Sequence, residues 1–153
     1  MASRVRVATE ADLPRVVELL AQLTTDDPRE QPGSPPTEVY TEAFRRMQAD
    51  QDQRLLVLEA GGRIVGTLVL LIIPNLTHQG RPYATVENVI VDDSERGAGR
   101  GRQLMEYAID EAKRAGCYKM ALTSHKSRTA AHRFYEGLGF ESTHEAYRID
   151  FAD

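Results

Sequence analysis

The hydrophobic positions change period several times along the 153-residue chain, and each change marks an element. Arg4 to Ala8 alternates and reads as a short strand. Leu13, Val16, Val17, Leu20 and Leu23 then fall at helical spacing, which predicts an amphipathic helix. Thr9 or Asp12 is placed to cap it, and Pro14 lies in the first turn, where a missing N–H is tolerated. Residues 26–37, DDPREQPGSPPT, are dense in proline and charge and predict a loop. A second helix is expected over Glu38–Ala49, with Val39, Ala43, Phe44 and Met47 facing inward.

The middle of the chain reads as sheet. Arg54–Ala60 and Arg63–Ile73 flank Gly61-Gly62, a two-residue hairpin signal, and the second strand is apolar on both faces towards its end. The loop PNLTHQGRP separates it from a strand over Tyr83–Val91. Beyond the stretch ERGAGRGR, Leu104, Met105, Ala108, Ile109 and Ala112 form the inner face of a helix that stops at Gly116. Tyr118–Ser124 predicts a strand and Thr129–Leu138 a helix with Ala131, Phe134, Tyr135 and Leu138 on one face. The tail from Phe140 is expected to carry one or two closing strands. A meander followed by alternating strands and helices predicts an α/β (α+β) fold, a mixed sheet with helices on both faces. The length predicts a single domain, 1–153, able to bury a core without staples.

Composition narrows the function classes. Apolar residues make up 41% and charged residues 27%, the mix of a soluble globular protein. A net charge of −4 argues against a general nucleic-acid binder, which needs a basic surface. The lone Cys117 cannot form an internal disulfide, and MASRVRVATE lacks the apolar core of a signal peptide, so a cytoplasmic location is expected. The longest apolar run, ending at Ile73, is strand length, so no membrane partner is expected. His78, His125, His132 and His144 show no metal-ligand spacing, and no metal site is expected.

The glycine stretch carries the chemistry. A dinucleotide fingerprint would need a glycine at position 102, which is Arg102, and a Walker loop would need a lysine after the glycines. What remains is Arg96-Gly97-Ala98-Gly99-Arg100-Gly101 between a strand and a helix. Glycines let successive N–H groups approach one anion, and a helix N-terminus adds its dipole. Arg96, Arg100 and Arg102 can add cationic ends. The alternative is a plain strand-to-helix turn with solvated arginines.

This stretch, with the preceding VENVIVDD and the downstream Phe134-Tyr135-Glu136-Gly137-Leu138-Gly139-Phe140, resembles the GNAT superfamily of acyl-CoA-dependent N-acyltransferases. Its hallmark is Q/R-x-x-G-x-G/A after the fourth strand, with F-Y-E-x-x-G-F at the end of a later helix. The resemblance implies a mostly antiparallel sheet with a splayed parallel strand pair. It implies that the N–H groups of Gly97 to Gly101 hold the pyrophosphate of acetyl-CoA, with its pantetheine arm along Val89-Ile90-Val91 as an extra strand. Arg128 and His132 are implied to reach the cofactor's phosphate end.

Direct transfer from thioester to amine needs a base, a donor for the developing oxyanion and an acid for the leaving thiolate. Glu87, inside an otherwise apolar strand, is the candidate base, because burial would raise its pKa; a solvated or structurally paired Glu is the alternative. His125, after a strand end, is the substitute base, with a solvent-exposed loop histidine as the alternative. The N–H of Val89 is the oxyanion donor by the family resemblance, and Tyr135 is the candidate acid, with plain packing as its alternative. Thr85 to Val91 and Gly116-Cys117-Tyr118-Lys119 are similar to glucosamine-6-phosphate N-acetyltransferases, although Thr123 stands where those carry an Asp. Ala131-His132-Arg133-Phe134-Tyr135 is similar instead to aminoalkylphosphonate N-acetyltransferases. Both point to a small-molecule amine. A protein or peptide acceptor and a non-catalytic acetyl-CoA sensor stand as alternatives. PNLTHQGRP suggests a homodimer, since the same loop packs against a second subunit in the sugar-phosphate group.

Overall fold

A computed structural model describes residues 2–23 and 37–151. The expected loop at 26–37 lies outside the described residues, apart from Thr37. The chain divides into two compact units, Met1–Ala121 and Leu122–Asp153.

In the first unit, strand β1 (Ser3–Val7) leads through a short turn to helix α1 (Leu13–Leu23), followed by helix α2 (Thr37–Ala49). Then come strands β2 (Gln53–Ala60), β3 (Arg63–Ile73) and β4 (Tyr83–Val91), helix α3 (Arg100–Arg114) and strand β5 (Met120–Ala121). They form one sheet in the order β1-β2-β3-β4-β5, antiparallel except for the parallel pair β4–β5. Gly61 and Gly62 make the β2–β3 hairpin with φ of 60° and 76°, the left-handed pair that a two-residue turn of matching twist requires.

Two helical layers cover the sheet. On one face, Leu13, Val16 and Leu19 of α1 and Phe44 of α2 share a core with Leu55 and Val57 of β2 and with Val69 and Ile90. The neighbouring Leu56, Leu58, Leu68 and Leu70 are buried as well, so the central strands bury both faces. Helix α3 contributes Leu104, Met105, Ala108 and Ala112, with Ile109 half-buried. Gly66 admits α3 closely: a Cβ there would meet the Ile90 carbonyl oxygen at 3.3 Å and Leu104 Cδ2 at 3.5 Å.

The helix faces differ from the expected ones in detail. The buried stripe of α1 includes the fully buried Leu19, while Val17 is only half-buried. In α2, Val39 and Ala43 are exposed; Tyr40, Phe44 and Met47, spaced i, i+4, i+7, form the covered side. Simple counting of apolar residues cannot fix a helix's rotation about its axis when apolar and amphipathic side chains surround most of it.

The strand expected over Tyr118–Ser124 is shorter. β5 pairs with β4 only at Ala84–Met120 and Thr85–Ala121, and β4 runs on to Val91 without it. The parallel pair therefore parts after two rungs. In the second unit, helix α4 (Thr129–Gly137) follows Arg128 as its cap residue. The expected closing strands are not present in 138–151. Tyr147, Ile149 and Phe151 keep a strand's alternation, yet they are 89%, 78% and 81% exposed. A strand needs a ladder partner, and alternation alone does not supply one.

Among the described residues no helix is long and apolar enough to cross a membrane.

Candidate functional site

The candidate site residues of the first unit lie on the C-terminal half of β4 and the turn that follows. Between the rungs Thr67–Ile90 and Val69–Glu87, β4 places Asn88 and Val89 opposite the single residue Leu68. This is a β-bulge, and Asn88 takes its left-handed position at φ 53°, a conformation asparagine tolerates. The extra residue takes backbone groups of Asn88–Val89 out of the ladder and switches the strand's faces, so that Ile90 joins the core of α1 and α2. Sequence alternation alone cannot show such a bulge. Glu87 itself is exposed, so the burial expected from its apolar neighbours in sequence is not found.

Beyond Val91 the chain turns on Asp92, only 6% exposed and one of two buried polar residues in the described chain. Its N–H donates to the Val65 carbonyl at 2.8 Å. One carboxylate oxygen accepts from the N–H and the hydroxyl of Ser94, both at 3.1 Å. The other accepts from Arg15 of α1 and, at 2.8 Å, from Arg63 of β3. Arg15 also donates to the Ile64 carbonyl at 2.9 Å. The Ser94 N–H, and then the Arg15 guanidinium, outweigh burial and hold the Asp92 carboxyl down at about 2. Nothing in the residue pattern marked this aspartate; a carboxylate directly after an apolar strand was the only available signal.

The glycine turn follows. Gly97 and Gly99 have φ of 87° and 76°, and a Cβ at either would meet nothing within 4 Å. Gly99 is the cap residue of α3, whose first turn contains no acidic side chain. Its first N–H groups have no partners within the helix, and they and the positive end of the helix dipole face the turn, an arrangement that suits an anion. Arg96 pairs with Asp93 at 2.8 Å and Arg102 with Glu106 at 2.9 Å. Arg100 lies 3.6 Å from Glu95, and its Nε is buried without a hydrogen-bond partner. At the far side of the turn, Gln103 accepts from the Ser3 hydroxyl at 2.7 Å, tying the start of α3 to β1. Thus Val89, Ile90, Val91, Arg96, Gly97, Ala98, Gly99, Arg100, Gly101 and Arg102 form one continuous strand–turn–helix segment.

The second unit holds the other candidates. Tyr135 of α4 is 8% exposed, its ring 5.3 Å from Phe134 and 5.9 Å from Phe140. Burial pushes its phenol above the usual value, against a smaller opposing effect of Arg128, so it stays protonated at neutral pH. His132 donates from Nε2 to the His125 carbonyl at 2.9 Å, bracing the turn before α4. His125 is exposed, and its Nδ1 accepts from the Ser127 N–H at 3.1 Å. Arg128 is exposed at the helix start. The Ser124 hydroxyl is buried without a partner, a feature that the sequence did not signal. Among the described residues, no three His, Cys, Asp or Glu side chains group as a metal site.

The profile of the acetyltransferase (GNAT) family matches residues 17–140. The chain is 36% identical over 145 residues to a glucosamine 6-phosphate N-acetyltransferase of Trypanosoma brucei brucei, covering 95% of this chain and 93% of that one. It is 26% identical over 139 residues to an aminoalkylphosphonate N-acetyltransferase of Salmonella typhimurium, covering 91% and 85%. A crystal structure of a transcriptional regulator from Bacillus halodurans is similar at 40% identity and a TM-score of 0.88, covering 98% and 100%.

Proposed function

From the premise that the chain belongs to the GNAT family of acetyltransferases, we propose that it moves the acetyl group of acetyl-CoA directly onto a primary amine of a small molecule. The observation that carries this reading is the glycine turn. Gly97 and Gly99 leave open space where side chains would stand, an acid-free helix start faces the turn, and the buried Arg100 Nε, 3.6 Å from Glu95, has no hydrogen-bond partner. These are the features a diphosphate needs. The backbone of Gly97 to Gly101, with Arg96, Arg100 and Arg102, would hold it, and the edge of β4 at Val89 to Val91 would align the arm. Arg128 and His132 are read as further phosphate-end contacts. Acetyl-CoA supplies the activated thioester. Because the family profile spans both compact units, we read them as parts of one acetyltransferase domain.

In the transfer, a C–N bond forms and a C–S bond breaks. Glu87 takes a proton from the amine, directly or through water, and its exposure suits a base reached by a soluble substrate. The bulged backbone at Val89 offers an N–H to the oxygen that gains charge. Tyr135, kept neutral by burial, gives a proton to the departing sulfur and recovers one from solvent. His125 is the substitute base. The similarity to sugar-phosphate and aminoalkylphosphonate enzymes supports an amine that also carries a phosphate or phosphonate. The purified protein, incubated with acetyl-CoA and a panel of such amines, should release CoA with at least one. Tight acetyl-CoA binding without turnover across the panel would favour a sensor instead, the second reading, which the name of the Bacillus halodurans relative supports.

We read the protein as a cytoplasmic homodimer. Leu76, fully exposed in the loop after β3, and the exposed Tyr147, Ile149 and Phe151 are apolar surface that a second copy would cover. A monomeric mass in solution at micromolar concentration would refute this.

A further inference from the structure

Neighbouring side chains do not hold the glycine turn at its glycines. No atom lies within 4 Å of where a side chain would start at Gly97 or Gly99, so packing against neighbours does not set its shape there. Its own cations are engaged locally, Arg96 with Asp93 and Arg100 beside Glu95. The conformation therefore depends on its two ends. On the far side, the Ser3–Gln103 bond and the buried Leu104 and Met105 fix the start of α3. On the near side, the polar anchor is Asp92.

Its two oxygens divide the work. One caps the single turn Asp93–Glu95 through Ser94, and the other gathers Arg15 from α1 and Arg63 from β3. The Asp92 carbonyl also accepts from the Glu95 N–H at 2.9 Å, and the Asp93 N–H donates to Gln22 of α1 at 3.2 Å. A buried anion shared by two guanidinium groups from separate elements is stiff, because moving it would break its bonds to both, although Arg15 also holds Glu18 and the Ile64 carbonyl. The turn that emerges from it inherits that stiffness.

We propose that Asp92 is a positioning residue for acetyl-CoA: through Arg15, Arg63 and Ser94 it holds the start of the glycine turn so that the N–H groups of Gly97 to Gly101 converge before the diphosphate arrives. This rests on the acetyl-CoA reading above. Its physical content is preorganisation, since a turn already ordered loses less freedom on binding than one the ligand must order.

The test compares Asp92→Asn, which keeps size and one acceptor but removes the charge, with Arg63→Gln at an exposed side chain that the fold tolerates more easily. Two quantities are read in each variant: the Kd for CoA by calorimetry, and amide hydrogen exchange in the free protein. The expected result is a Kd raised about tenfold for Asp92→Asn and about threefold for Arg63→Gln. Exchange should quicken at residues 96–101 while amides of β2 and β3 keep their protection. If Asp92→Asn does not fold, Arg63→Gln alone decides. Unchanged CoA affinity overturns the proposal, as does weakened affinity accompanied by faster exchange throughout the sheet, which would mark Asp92 as a general support of the fold. A wild-type protein that does not bind CoA sinks the acetyl-CoA reading, and this inference with it. Wild-type binding with indifferent variants sinks this inference alone.

Discussion

The turn after β4 and the segment from α4 to the tail both carry candidate site residues, yet they are built in opposite ways. Around Asp92, side chains from α1, β3 and the turn itself meet at one buried carboxylate. From Thr129 to Phe151, Tyr135 is the one buried residue, and the last ten described residues are all exposed. The difference separates two ways of making a site. In the first region a charge network and a docked helix hold the two ends of the glycine turn. The second presents one aromatic side chain from a short helix, held by ring contacts with Phe134 and Phe140.

The sharpest way to break that comparison is to remove its chemistry. Glu87→Gln is expected to lower kcat by about 10²- to 10³-fold while leaving the Kd for acetyl-CoA within about threefold, since a general base contributes to the chemical step. Steady-state kinetics beside calorimetry would separate the two. Equal losses in both would mean that Glu87 supports the turn. Tyr135→Phe keeps the ring packing and removes only the hydroxyl, so kcat should fall about 10- to 100-fold with little change in thermal stability. A full-rate variant would leave Tyr135 as packing alone.

Stability should follow the same division. Asp92→Ala leaves two cations without their shared anion and should cost about 3 kcal/mol in denaturant unfolding. Ile149→Ser, at a site 78% exposed, should change monomer stability by less than about 0.5 kcal/mol. If it instead converts a dimer to monomers in light scattering, the tail is part of the interface.

A pH slope in stability comes from Asp92 and Asp12. Both carboxyls are held at about 2, Asp12 chiefly by its two-pronged pair with Arg6 and then by the Thr9 N–H. Because both folded values lie below the unfolded value of about 3.9, the unfolded chain binds more protons in acid. Their stabilisation is complete above about pH 5 and is lost as pH falls towards 2. Asp92→Asn should flatten that acid limb of stability against pH, and an unaltered slope would show that other carboxylates dominate it.

Much of the first region was legible as sequence. The limits of β3 and β4, the Gly61-Gly62 hairpin and the start of α1 followed from period and from glycine, because side chains on a half-buried strand or helix must repeat with its geometry. The glycine turn was legible for the same reason, since φ near 80° at two close positions calls for residues without a Cβ. Less legible was anything that depends on a partner. Tyr118–Ser124 and the tail have strand-like composition, but pairing exists only where a neighbour offers its edge. Glu87 looked enclosed because its neighbours in sequence are apolar, whereas the bulge at Asn88–Val89 interrupts the alternation on which that reading relied.

The sequence by itself determined the kinds and order of the elements as far as α4, though not the length of β5, and the glycines that form the turn before α3, because backbone conformational preference and hydrophobic period are local properties. Only the tertiary structure decided that Arg15, Arg63 and Ser94 share Asp92, that β4 bulges beside Glu87, and that Tyr135 is buried while the tail is bare. Those facts depend on residues up to 77 positions apart meeting in space, and no local pattern records which distant side chain will arrive.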